Sequence, residues 1–91
     1  MRNPKNIFMD KAVNKNIESF PGLPIVEVAG DSRVLIENHL CIREYSSQQI
    51  IVKMKYGNLF IKGNELYIAQ MNTQQLVVCG CIESLFLQRG T

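Results

Sequence analysis

Residues 40–52 and 66–78 carry one pattern twice, LCIREYSSQQIIV and LYIAQMNTQQLVV, with five of the thirteen positions identical. Each copy opens on a leucine followed two residues later by an isoleucine. A polar turn ending in Gln-Gln comes next, and then a pair of aliphatics. A period of 26 residues (66 − 40) points to stacked or duplicated β units and not to a catalytic scaffold. Most of the chain then specifies a framework, and few residues remain for chemistry.

Around the repeat, alternation marks strands. Val34, Ile36, Leu40 and Ile42 fall at even positions, and Ile50, Val52 and Met54 continue the series. Gly30-Asp31-Ser32 reads as a turn. Pairing Ile36 with Leu40 leaves a loop at Glu37-Asn38-His39, in which Asn38 or His39 supplies the left-handed residue. A loop at Tyr56-Gly57 sets Met54 opposite Leu59, and one at Gly63-Asn64 sets Ile61 opposite Leu66. The second copy has one extra residue, Glu65, which a shorter loop absorbs. The step of three from Ile82 to Leu85 breaks alternation and predicts a bulge. The fold class is all-β, mainly antiparallel, with seven or eight short strands. The duplicated hairpins form a small sandwich, a roll or a short solenoid, and residues 22–88 make up this β domain.

Ahead of it, residues 1–21 form a basic lead-in. Phe8, Met9, Ala12, Val13, Ile17 and Phe20 recur with the spacing of one side of a short helix, which Pro21-Gly22-Leu23-Pro24 ends. Residues 1–20 contain Arg2, Lys5, Lys11 and Lys15 against Asp10 and Glu18, so the whole net charge of +2 falls there (4 − 2). That segment can touch an anionic membrane surface, but a solvated tail is the simpler reading of so few charges. No apolar run approaches the roughly 18 residues of a membrane span, and no secretory signal pattern is present, so the chain reads as cytoplasmic.

Chemistry is sparse. Cys41, Cys79 and Cys81 lack zinc-ligand spacing and read as free thiols at packing positions, so neither metal nor cofactor is expected. His39, the single histidine, falls in a turn with no nucleophile beside it. The carboxylates are scattered, and the glycines form no phosphate-binding motif. No catalytic residue is assigned, and the chain is expected not to be an enzyme. Leu35, Cys41, Ile51, Phe60, Tyr67, Val77, Cys79 and Cys81 make the second sheet face semi-apolar. A sheet apolar on both faces is covered on both. The lead-in can cover one, and a partner or a second copy the other. Leu35, Ile51, Phe60 and Tyr67 are the interaction-face candidates. The alternative is a binding module for nucleic acid or another anion through Lys53, Lys55, Lys62 and Arg43. Glu27, Glu37 and Glu65 dilute that charge, so no nucleic-acid partner is expected.

The order IENH (Ile36–His39), I-x-E-Y (Ile42–Tyr45), I-x-V (Ile50, Val52), G-x-L-x-I-x-G-x-x-L-x-I (Gly57–Ile68) and L-x-V-x-G-x-I (Leu76–Ile82) resembles the YabP/YqfC family of sporulation proteins, over roughly residues 22–87. IENH and the short lead-in are more similar to the YqfC branch. The family usually has a basic residue and glycine after the histidine, and here Leu40 and Cys41 follow it, which changes the shape expected of that turn. The resemblance implies a role in endospore formation, in the mother-cell cytoplasm, beside a membrane-protein partner encoded nearby. It carries no catalytic residues.

Overall fold

A computed structural model describes residues 23–90, and the N-terminal helix expected over residues 1–21 lies outside them. Six strands follow one another: β1 (Ile25–Ala29), β2 (Arg33–Glu37), β3 (Cys41–Tyr45), β4 (Gln49–Met54), β5 (Gly57–Met71) and β6 (Gln75–Arg89). They form one antiparallel sheet in the order β1-β2-β6-β5-β4-β3. The protein is all-β throughout the described residues, with fewer and longer strands than the sequence suggests: β5 and β6 have 15 residues each.

The two long strands bend. Between Lys62 and Tyr67 the β5–β6 register shifts twice, with Glu83 as the extra residue between Ile82 and Ser84, where the broken alternation predicts a bulge. Gly63 and Gly80 make the bend feasible. A Cβ on Gly63 would overlap the Cys81 carbonyl, and one on Gly80 (φ +136°) would lie 2.6 Å from the Glu65 carbonyl oxygen. The bend divides the sheet by pairing. The first parts of β5 and the last of β6 join β4 and β3; the remainder of both joins β2 and β1.

The two copies share their strand register from Ile42 and Ile68 onward. Ile42 faces Val52, Arg43 is bulged, and Glu44 faces Ile51; 26 residues later Ile68 faces Val78, Ala69 is bulged, and Gln70 faces Val77. Both turns close alike. Ser46 donates its N–H to the Gln49 carbonyl at 2.9 Å, and its Oγ accepts from the Gln48 and Gln49 N–H groups at 3.2 and 3.0 Å. Asn72 donates to the Gln75 carbonyl at 2.9 Å, and its Oδ1 accepts from Gln74 and Gln75 at 2.8 Å each. A short polar side chain at the turn's first position mimics a backbone acceptor, so Ser and Asn serve interchangeably. The likeness reaches upstream of the letters: Val34 and Ile36 face Val78 and Leu76 as Leu59 and Ile61 face Val52 and Ile50.

The core is repeated with the same symmetry. Ile50, Val52, Leu59 and Ile61 from one half, and Leu76, Val78, Val34 and Ile36 from the other, form one buried cluster at 0–3% exposure. A flat sheet would leave such a face wet, so the two halves lie face to face across the bend. Each of these aliphatics contributes about 2 kcal/mol of transfer free energy.

Three expected hairpins are displaced. β2 does not pair with β3, so Ile36 and Leu40 are not partners, and Leu40 is exposed; Asn38 is left-handed as expected (φ 64°) but turns the chain from one half into the other. The β4–β5 loop is Lys55-Tyr56, with Met54 opposite Gly57 and Val52 opposite Leu59. Moving the loop by one residue shifts the pairing by two and preserves the face of every aliphatic. No loop forms at Gly63-Asn64, because β5 continues through it, bent but unbroken, and Glu65 takes the positive φ (54°).

Candidate interaction surfaces

Alternation sends odd-numbered residues of β4, and even-numbered residues of the first part of β5 and the last of β6, to the outside of the first half. Ile51, Phe60 and Phe86 lie there in one cross-strand row, and the two phenyl rings stack with centroids 4.7 Å apart and planes within 4°. Phe86 is 44% exposed, while Ile51 and Phe60 are half-buried. Lys62 Nζ approaches the Phe86 ring at 5.6 Å, a cation–π distance. On the same surface Gln49 Nε2 donates to Glu44 Oε2 at 2.8 Å.

The second half presents a different outer row. Leu35 faces Glu27 on one side and Val77 on the other, and Tyr67 lies opposite Cys79, one row along. Tyr67 is 52% exposed and Leu35 is half-buried. The four candidates therefore divide two and two. Ile51 and Phe60 are direct partners on one outer face; Leu35 and Tyr67 lie on the other, one row apart and separated by β6. Phe86 completes the first patch. Its parity was visible in the sequence, but its place beside Phe60 depends on the bulge at Glu83.

The alternative cation set is dispersed. Lys53 and Lys62 flank the Ile51–Phe60–Phe86 row, Lys55 lies in the β4–β5 loop against the Tyr56 ring (5.6 Å), and Arg43 is at the β3 bulge. The cysteines are all free, but Cys41 and Cys81 are exposed and only Cys79 is half-buried, which corrects the packing role expected of them. Cys41 is on an edge strand and Cys81 is at the bend, so neither has a strand layer over it. His39 belongs to the β2–β3 connection, and its Nδ1 is buried without a hydrogen-bond partner among the described residues. Asn38 anchors that connection: its N–H donates to the Gln74 carbonyl at 2.7 Å and its Nδ2 to the Leu23 carbonyl at 2.9 Å. Among the described residues no cluster of His, Cys, Asp and Glu could hold a metal ion, and no helix is long and apolar enough to cross a membrane.

A third surface was not legible in the sequence. Between β1 and the end of β6 the core opens into an apolar cleft of about 400 Å³. Met54 and Leu59 form its floor, and Leu23, Val26, Leu85 and Leu87 its walls. Val26 and Leu87 lie on the core side of their strands by register, opposite Ile36 and Leu59, yet are 38% and 59% exposed.

These features define a duplicated all-β domain whose individuality lies in its outer faces and its open end. The YabP family profile matches residues 24–91, and the chain belongs to that family. The match covers the whole described domain and does not distinguish branches within the family; membership is consistent with a sporulation-related protein. No curated protein and no solved structure shows a significant match to the chain.

Proposed function

We propose that the protein is a non-enzymatic assembly module in endospore formation, acting in the mother-cell cytoplasm against a membrane protein encoded nearby. Family membership supports the biological setting. The single observation that carries the interaction role is the stacked Phe60–Phe86 pair beside Ile51, an aromatic patch on an outer face that no described element covers. Exposed aromatics of this kind anchor protein contacts, since they bury a large area with little loss of side-chain freedom.

The test uses the full chain with Phe60→Asp and Tyr67→Asp, singly and together, against the neighbouring-gene membrane protein in detergent. Mass measurement in solution should show a complex with the parent chain. The double variant should lose it with an unchanged far-ultraviolet circular dichroism spectrum. Full retention of the complex by the folded double variant would sink the assignment. A second reading has one observation behind it: Lys53 and Lys62 flank the aromatic row, an arrangement that suits stacked bases on a basic strip. Binding of generic single strands that weakens steeply with salt would favour that reading.

A further inference from the structure

The apolar cleft between β1 and the end of β6 exposes Val26 and Leu87 beside the buried Met54 and Leu59, so the core that the described residues form is incomplete at this end. The chain itself enters the described structure here, because Leu23 is part of the cleft wall. Phe20 precedes Leu23 by three residues. Three residues reach about 10 Å, which brings the cleft mouth within reach of Phe20. Pro21 restricts the link further by fixing one of its φ angles. Beyond Phe20 the apolar residues Ile17, Val13 and Met9 recur every four residues, as one continuous side would require.

Charge is neutral to this placement, since residues 8–20 contain Lys11 and Lys15 against Asp10 and Glu18. Lys55 and Arg89 bracket the Tyr56 ring at 5.6 and 5.7 Å, and Tyr56 also lines the cleft. An apolar opening of this size on a 91-residue chain is unfavourable if left in water, and the tethered segment meets it at high effective concentration.

We propose that the cleft is the docking site of the chain's own residues 8–20, with Phe20 and Ile17 inserted against Met54, Leu59 and Leu87. The contact is intramolecular and completes the core. Phe86 also borders the cleft, so the contact adjoins the aromatic face at one edge, but it rests on the cleft and not on the assembly role.

Methyl-detected nuclear magnetic resonance on the full chain tests this. Met54 reports from the cleft floor, and nuclear Overhauser contacts from the Phe20 ring to the Met54 and Leu59 methyls are expected, unchanged on tenfold dilution. Phe20→Asp and Ile17→Asp should remove those contacts, shift the Met54 methyl, and raise the fluorescence of an apolar dye about threefold or more as the cleft opens. Leu87→Asp, at an exposed wall position, should release the segment from the opposite side with the same dye response. Three outcomes overturn the proposal. One is a Met54 methyl indifferent to all three substitutions. Another is contacts found only between differently labelled molecules, which would mark exchange between two copies. The last is a Met54 shift produced by phospholipid micelles but not by Phe20→Asp, which would mark a lipid site.

Discussion

The two halves of the sheet share a core, a bulge and a turn, and differ on their outer faces. Ile50, Val52, Leu59 and Ile61 in one are matched by Leu76, Val78, Val34 and Ile36 in the other, all buried in one cluster. Outside, one half carries Ile51, Phe60 and Phe86 where the other carries Val77, Leu35 and Glu27. The inner positions answer to packing, which is common to both copies. The outer ones are free to diverge, and the aromatic row is where they have diverged most. A second difference is structural. After Met54 the first copy turns back at Lys55-Tyr56, whereas after Gly80, the equivalent residue, the second runs on into the rest of β6.

The largest test of this comparison is the core. Ile36→Ala and Ile61→Ala remove equivalent, fully buried side chains, and each should cost about 3 kcal/mol in urea unfolding. Near- and far-ultraviolet signals should still change together, because both halves contribute to one cluster. Separate transitions would split the halves into independent units. Gly80→Ala comes next, since only the second copy needs a positive φ and a close backbone approach there. It should destabilise by about 2 kcal/mol, measured the same way. The smallest effect belongs to the turns. Ser46→Ala and Asn72→Ala should each cost about 1 kcal/mol and add in the double variant. The interchanges Ser46→Asn and Asn72→Ser should stay within about 0.5 kcal/mol. A large penalty for either interchange would break the equivalence of the copies.

The aliphatic parity that places Ile50, Val52 and Ile61 inside was legible because a strand's side chains alternate whatever its partner. The bulge at Glu83 was legible for the same reason, as a step of three between Ile82 and Leu85. Pairing was not. Asn38 and Gly63-Asn64 resemble hairpin loops, but a left-handed residue or a glycine also serves where a chain crosses between layers or bends. At Gly63 the deciding fact is the Cys81 carbonyl pressed against it, which comes from residues far along the chain. The interaction candidates were chosen by parity too, and parity cannot say that Ile51 and Phe60 share one outer face while Leu35 and Tyr67 share the other. The cleft needed Val26 and Leu87 on facing walls, a juxtaposition of the two ends of the domain.

The pairing pattern also bears on how such a fold can arise. β3 and β4 belong to the first repeat, but the strand beside β4 is the start of β5, from the second; the second repeat's own hairpin takes β2, from the first. Each repeat thus lends its leading strand to the other. A chain holding only one repeat would have a hairpin without its third strand, and two such chains could complete each other by exchanging that strand about a twofold axis. Fusing the two into one chain would turn an obligate pair of short polypeptides into a monomer, with the exchange preserved in its topology.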